Sequence, residues 1–396
     1  MDSNEWNKIR QFHLPAKYRQ VIEKAPGTAR QYLGQPDLIL LDEKTLISVY
    51  PVGHGAGPIV MQVSRDGGIT WKEKKGTPDS WKKAIETPTI YKLNFVNGDL
   101  KLMLISGCPD WKDNQEGGWL TSLSSDGGAS WSEFQKCHPF LENGCMNWSN
   151  VAMASLIQVK DPEGNRLDKW LGVYHDNAFR NYKTYLTFDE SGNEKWSAPE
   201  PYLAAYREIE RTYQICEVCL FRSPDGKRLM ALGRTQSHMH QSVSFYSDDE
   251  GLTWSLPRGV HDSLQGERHK AAYDPISGRL LISFREIIID HNQNGIIEPD
   301  DWLAGDWVAW IGTYEDILER KTGLARIVLA EDWTNSNKSG DTGYAGLAVQ
   351  NDGTFILHSY GHWDREFSEN WQNGVETDLC YIIQAKFKLK ELGLEL

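Results

Sequence analysis

The chain has 396 residues, a net charge of −13, 35 Gly, 16 Trp and 16 Tyr. That length can bury a large core, and the acidic balance argues against nucleic acid as a partner. No apolar run reaches the length of a membrane span and the N-terminus lacks the pattern of a secretory leader, so a cytoplasmic protein is expected. Its six cysteines, Cys108, Cys137, Cys145, Cys216, Cys219 and Cys380, would then be thiols.

Residues 1–30 are irregular and read as an N-terminal extension, with one continuous domain over 31–396. From there the chain is a succession of short apolar-alternating segments broken by Gly, Asp and Asn. The first group is "DLILL", "TLISVYP" and "IVMQVS"; the second is "PTIYKLNF", "LKLMLIS" and "WLTSLS". "VAMASLIQV", "KWLGVYH" and "YKTYLTF" form a third group, and "EVCLFR", "RLMALGR" and "SVSFYS" a fourth. The last two are "HKAAYD", "RLLISFRE", "DWVAWIGTY" and "YAGLAVQ", "TFILHSYG", "CYIIQAKFKL". Cys216 and Cys219 have the C-x-x-C spacing of a zinc half-site, but with no second pair they read as two buried thiols of a strand.

One turn punctuates these groups. "SRDGGITW" ends at Trp71, "SSDGGASW" at Trp131 and "SDDEGLTW" at Trp254, and a degenerate copy, "FDESGNEKW", ends at Trp196. Trp71 to Trp131 is 60 residues and Trp131 to Trp254 is 123, about two such periods. A period of that size with three or four strands per unit predicts an all-β, six-bladed β-propeller. In the turn, Asp can accept backbone N–H groups, Gly supplies a backbone conformation other residues avoid, and Trp buries between strands. It is a structural staple rather than a site.

Propeller geometry places the starts of first strands and the ends of second strands around one end of the axis. The residues falling there are strongly polar: Gln35, Glu86, Asn150, Glu217, Arg268 with His269, and Tyr344 at the starts, and His54, Asp110, His175 with Asp176, Arg234, Arg285, and Tyr360 with His362 at the ends. A polar ring above apolar strands reads as a ligand site.

The repeated turn resembles the Asp-box of the sialidase superfamily, and the likeness extends to three longer stretches. "ICEVCLFRSPDGKRLMALGRTQ" resembles the segment in which a Glu opens an inner strand and a carboxylate-binding Arg ends the next, here Glu217 and Arg234. "GERHKAAYDPISGRLLISFRE" is similar to the following arginine-bearing blade and offers Arg268 and Arg285. "DTGYAGLAVQNDGTFILHSYG" resembles the segment with the nucleophilic tyrosine, here Tyr344. The resemblance implies a sialidase fold with Asp-box turns and a glycosidase that cleaves a terminal acidic sugar, its carbohydrate substrate gripped by Arg234, Arg268 and Arg285. His175, Asp110 and Glu86 would line the substrate pocket. A tyrosine hydroxyl with its ordinary pKa near 10 is a poor nucleophile and needs the neighbouring Glu as base; sialidases are known Tyr-nucleophile glycosidases. Trp148 and Trp363 are candidates to stack on sugar rings.

Two departures accompany the likeness. Where sialidases carry "F-R-I-P", this chain reads "YLGQPDLIL", with Gly34 in the arginine position. Where they carry an acid/base Asp after the second strand of blade one, it reads "YPVGHGAGPI", with His54. His54 or Asp176 is therefore expected as acid/base, since a histidine can serve near neutrality. A propeller polysaccharide lyase built on His54, His175, Tyr344 and Arg234, and a glycan-binding propeller without turnover, remain open.

"DHNQNGIIEPDD" matches the twelve-residue calcium loop. Asp290, Asn292 and Asn294 would supply side-chain oxygens, Ile296 a carbonyl and Asp301 the last carboxylate, with Gly295 at the sharp turn. A structural Ca²⁺ is expected there.

Overall fold

Alternating side chains commit each segment to two faces, and every face here finds a neighbouring sheet. The computed structural model describes residues 9–24, 33–109, 117–332, 341–361 and 380–395. They form six sheets, each an antiparallel meander arranged as one blade of a β-propeller. Blade one holds Asp37–Leu40, Leu46–Pro51, Ile59–Ser64 and Lys72–Glu73, and blade two Pro88–Asn94, Leu100–Gly107, Trp119–Ser124 and Gln135–Cys137. The inner three strands of blade three are Ser149–Lys160, Arg166–Asp176 and Asn181–Phe188; those of blade four are Ile215–Arg222, Leu229–Thr235 and Val243–Ser247. Blade five starts with Gly266–Tyr273, Leu280–Ile289 and Trp302–Gly312, and blade six with Gly346–Val349, Thr354–Gly361 and Tyr381–Lys388.

The N-terminal segment is woven into the ring. Arg10–His13 adds a parallel fifth strand to Ala325–Ala330 of blade five, and Arg19–Lys24 is the outermost strand of blade six, antiparallel to Tyr381–Lys388. Blades five and three thus carry five strands, the latter because Glu194–Trp196 and Glu200–Pro201 both pair with Asn181–Phe188. Two short helices, Arg207–Tyr213 and Tyr314–Leu318, are the α-helical elements of the described residues.

The repeated turns join the third and fourth strands of blades one, two and four, and each is closed by its own side chains. In the first, Asp66 Oδ1 accepts the Ile69 and Thr70 N–H groups at 3.1 and 2.9 Å, Oδ2 accepts the Thr70 hydroxyl at 2.6 Å, and Ser64 Oγ accepts the Gly68 N–H at 2.8 Å. Asp126 with Ser130, and Asp249 with Thr253, repeat the pattern. The degenerate copy keeps Asp189, which accepts the Ser191 and Asn193 N–H groups at 3.0 and 2.9 Å. The terminal tryptophans enter the seams between blades: Trp71 Nε1 donates to Gln384 Oε1 of blade six at 2.9 Å, and Trp196 packs edge-on against Trp119 of blade two at 5.1 Å. The Gly67 N–H donates to Lys44 O in the turn between the first two strands of blade one, so the boxes lie on the face opposite the starts of the first strands.

Cys216 and Cys219 are buried free thiols of the first strand of blade four, and burial pushes the Cys219 thiol up to about 11. Cys137, Cys145 and Cys380 are free thiols as well.

Candidate active site

A cluster of arginines and carboxylates is built where first strands depart from regular pairing. Blade four breaks register between Cys216 and Cys219, blade five between Glu267 and Lys270, and blade three between Val151 and Ser155. In the first two breaks a non-glycine residue takes the left-handed conformation: Glu217 at φ 47° and Arg268 at φ 53°. Such a conformation costs about 1–3 kcal/mol, and bulges of this kind re-aim a side chain. Here they accompany an approach of Arg268 Nη1 to within 3.7 Å of Glu217 Oε1.

Glu217 and Tyr344 meet there. The Tyr344 hydroxyl donates to Glu217 Oε2 at 2.9 Å and accepts from Arg234 Nη1 at 2.5 Å and Arg285 Nη2 at 3.3 Å. Arg234 Nη1 also reaches Glu217 Oε2 at 2.9 Å, and Arg268 Nη1 lies 3.7 Å from Glu217 Oε1. The Arg285 guanidinium also stands over the Tyr344 ring, 4.6 Å from its centre. Tyr344 lies ahead of Gly346–Val349, and its approach depends on Gly343: a Cβ there would sit 2.6 Å from Arg285 Cα.

Burial alone would raise the Glu217 carboxyl, but Arg234 and Arg268 outweigh it and hold it below the usual range. Burial raises the Tyr344 hydroxyl well above its ordinary value. The resting pair is therefore a phenol bonded to a carboxylate. Two guanidiniums touch the phenol oxygen.

A second carboxylate, Glu267, was not anticipated from the sequence. It accepts from Arg285 Nε at 2.9 Å and also from Arg285 Nη2; Arg234 Nε lies 2.9 Å from its Oε1, an ion-pair distance without hydrogen-bond alignment. Burial opposes its charge, and Arg234 and Arg285 overcome that and hold it ionised. His238, left-handed at φ 52°, contacts Glu267 Oε1 at 2.9 Å and stacks on Trp302 with ring centres 3.8 Å apart.

Asp341, also unanticipated, lies three residues before Tyr344. Its Oδ1 accepts from the Tyr360 hydroxyl at 2.7 Å and lies 3.6 Å from Arg285 Nη1, while Oδ2 is 3.0 Å from His54 Nδ1. Gln35 links this corner to blade one: Gly55 N–H donates to Gln35 Oε1 at 3.0 Å, and Gln35 Nε2 reaches the Tyr360 hydroxyl at 3.5 Å.

The remaining candidates divide. Glu86 is buried near the His54 loop, its carboxyl pushed up by that burial. His175 is buried, which lowers its pKa, and it stacks on Phe179 with centres 5.5 Å apart. Asp176 closes its own turn, its Oδ1 accepting the Ala178 and Arg180 N–H groups at 2.9 Å each. Trp148 is exposed beside Gly117 at the start of blade three. Asp110, His362 and Trp363 lie outside the described residues. Gly34 cannot be exchanged for an arginine without rearrangement, since a Cβ there would meet Gly53 O at 2.4 Å and the Pro51 ring at 2.9 Å.

The calcium-like loop sits at the tip of the hairpin between Leu280–Ile289 and Trp302–Gly312. Its side chains do fold together. Asp290 Oδ1 and Oδ2 accept the Asn294 and Gly295 N–H groups at 2.9 Å each, Asn292 Oδ1 accepts the Asn294 N–H at 3.0 Å, and Asp301 Oδ1 accepts the Asn292 N–H at 2.9 Å. Asp301 Oδ2 is buried without a hydrogen-bond partner, and Ile296 is exposed. Among the described residues no group of three or more His, Cys, Asp or Glu could hold a metal; this donor set has two carboxylates and two amides. A separate hollow of about 460 Å³, on the outside of blade five between His261 and Lys321, shares no residue with the arginine cluster.

A family model described as a BNR repeat-like domain matches residues 88–274, and one described as a BNR/Asp-box repeat matches residues 62–73, around the first turn. The chain carries BNR repeats and folds as a six-bladed propeller of the kind seen in sialidases. Three solved structures illustrate how far that architecture carries. A Dyadobacter fermentans protein of unknown function aligns with a TM-score of 0.56 at 16% identity, over 94% of this chain and 100% of its own. Penicillium chrysogenum alpha-L-arabinanase, complexed with arabinobiose, aligns at 0.55 and 13%, over 94% and 98%. The intramolecular trans-sialidase of Ruminococcus gnavus, complexed with oseltamivir carboxylate, aligns at 0.53 and 12%, over 95% and 98%. At these identities the BNR-repeat propeller shares a fold with glycosidases of differing substrate. No curated protein sequence matches the chain.

Proposed function

We propose that this BNR-repeat propeller is a glycoside hydrolase that removes a terminal acidic sugar through a covalent intermediate on Tyr344. One observation carries the reading: the Tyr344 hydroxyl donates to Glu217 while receiving hydrogen bonds from Arg234 and Arg285. As Tyr344 attacks the anomeric carbon its proton passes to Glu217, and the oxygen remains between two cations throughout. A tyrosine–glutamate pair suits an acidic substrate, because a neutral phenol meets a negatively charged sugar with less repulsion than a carboxylate nucleophile would.

The charge of the pocket supports the acidic substituent. Among the described residues, Arg234, Arg268 and Arg285 face the ionised Glu217 and Glu267, three cations to two anions in the cluster. Burial favours the neutral form of Glu86, and Asp341 is matched by His54 when the imidazole is protonated. The floor thus complements one anionic group, as arginine forks do for carboxylates.

The test is a panel of 4-nitrophenyl glycosides of N-acetylneuraminic, glucuronic and galacturonic acids, beside their neutral counterparts, followed by mass spectrometry. Cleavage of an acidic glycoside by wild type and not by Tyr344→Phe is the expected result. An unsaturated, ultraviolet-absorbing sugar product would establish a lyase instead, and binding without cleavage would establish a glycan-binding propeller.

The 290–301 loop is proposed as a calcium site of the hairpin, supported by the spacing of its oxygen donors in the sequence and the unpartnered Asp301 oxygen. Bound calcium would be structural, holding the loop closed; no step of the reaction passes through it.

A further inference from the structure

Of the three arginines around Tyr344, two are tied down and one is not. Arg234 donates to Glu217 and the Tyr344 hydroxyl, and Arg285 to Glu267 and the same hydroxyl. Arg268 makes no hydrogen bond to any of the described residues: its Nη1 lies 3.7 Å from Glu217 Oε1, close enough for an ion pair and too far for a hydrogen bond. We propose that a small monovalent anion, a halide such as chloride, sits on the propeller axis between Arg268 and Lys270.

An arginine carries five N–H donors, and the Arg268 side chain is only 7% exposed. A buried donor without an acceptor costs the desolvation of the group, more so when it is charged, and native structures leave few such groups unmatched. The guanidinium is not on a mobile surface. The first strand of blade five breaks register between Glu267 and Lys270, with Arg268 left-handed at φ 53°, and bulges of this kind are built features. Burial opposes the charge of Arg268, but Glu217 outweighs it and keeps the guanidinium ionised. Glu217 is itself engaged by Arg234 and Tyr344.

Arg268 lines a hollow of about 10 Å³ where the first strands of blades one, two, five and six begin, beside Tyr344. That is room for one water-sized particle. The other cation on its wall is Lys270, whose Nζ donates to Asp37 Oδ1 at 3.1 Å and so uses one of three donors. Both oxygens of Asp37 are engaged, since Oδ2 accepts the Ile90 N–H at 3.0 Å. The hydroxyls of Thr87 and Thr89 are bonded to Glu86 and to Met153 O. The wall therefore has open donors while its side-chain acceptors are occupied. A water would bring two protons in need of acceptors; an anion brings none. Among the described residues, Arg268 and Lys270 face Asp37 across the hollow, two cations to one anion. A halide is somewhat larger than water, and both cations end long side chains that adjust to it.

The ion completes the hydrogen bonding of Arg268 and fixes it beside Glu217. The site stands on this geometry whichever sugar the protein takes. An acidic substrate that reaches Arg268 draws on the same positive charge and displaces the ion.

Two measurements test the site, and neither needs turnover. In wild-type crystals soaked in sodium bromide, diffraction at the bromine edge should show anomalous scattering in the hollow, within hydrogen-bond reach of Arg268 and Lys270. Differential scanning fluorimetry in sodium chloride and in sodium gluconate at equal ionic strength should show a higher Tm in chloride, rising with its concentration, because the ion binds only the folded state. That difference should disappear in Arg268→Gln. General salt effects are common to both proteins and cancel in the comparison. Where Arg268→Gln does not fold, the bromide crystal decides alone. Water in the hollow under bromide, bromide at the surface only as an adventitious ion, or a chloride difference kept in full by Arg268→Gln would each overturn the site. Failure to cleave any acidic glycoside would fell the glycosidase reading and leave both measurements untouched.

Discussion

The two ends of the propeller axis are built on opposite principles. At one end, each Asp-box aspartate finds its partners within four residues, as Asp66 does in Ser64, Ile69 and Thr70. At the other, Tyr344 bonds to Glu217 across 127 residues and to Arg234 across 110. The box turns are exposed, self-sufficient and repeated; the floor is buried, shared among blades four, five and six, and unique. Local satisfaction makes a staple that can recur in any blade. Non-local satisfaction holds charged groups in low dielectric, where removing one member exposes the rest. Function should therefore fail at the floor and acid stability at the boxes.

The largest effect is expected in the reacting pair. Tyr344→Phe and Glu217→Gln should each lower kcat on a cleaved acidic glycoside by about 10²–10⁴-fold. The double variant should be little worse than either single one, because the two act as a unit. Steady-state kinetics, with circular dichroism to confirm folding, measures this. Additive losses would separate the pair.

Next is Glu267→Gln, which leaves Arg234 and Arg285 facing each other across a buried amide. Breaking a buried charge pair costs about 3–5 kcal/mol, and denaturant unfolding should show a loss of that size. A change near zero would mean that water enters the floor and screens the arginines.

The boxes should respond to pH. Hydrogen bonds from Ser130 hold the Asp126 carboxyl at about 2 in the folded protein, below its unfolded value near 4. The unfolded chain binds more protons in that window. The contribution of Asp126 is therefore fully present above pH ~4 and lost as pH falls toward 2. Asp126→Asn should flatten the decline of Tm between those values without changing turnover at neutral pH. Parallel curves for the two proteins would remove the box from the acid response.

The smallest effect is expected at the hairpin tip. Calorimetric titration of chelator-treated protein should detect weak Ca²⁺ binding that Asp290→Ala abolishes, and calcium should raise Tm slightly by binding only the folded state. Equal binding in the variant would place any calcium elsewhere.

How much of this was legible in the sequence follows the same division. The boxes and the six blades could be read because each turn carries its whole explanation in eight residues and the tryptophan spacing counts the units. Glu217, Arg234, Arg285 and Tyr344 could be picked because propeller topology converges first-strand starts and second-strand ends. Glu267 escaped notice: it faces the floor only because the register break after it and the left-handed Arg268 rotate the strand. Asp341 sits in the loop ahead of the strand, and its one visible signal was its place in "DTGY", three residues before the tyrosine. Asp176 could have been read as a turn residue, since "DNAFR" supplies the N–H groups its carboxylate accepts.

The account stands on Tyr344 as the atom that takes the sugar. Acid quenching during turnover of a cleaved 4-nitrophenyl glycoside, then digestion and mass spectrometry, tests this directly. The peptide containing Tyr344 should carry the mass of one sugar residue. Turnover with no sugar on any peptide, or sugar on a peptide without Tyr344, would contradict it.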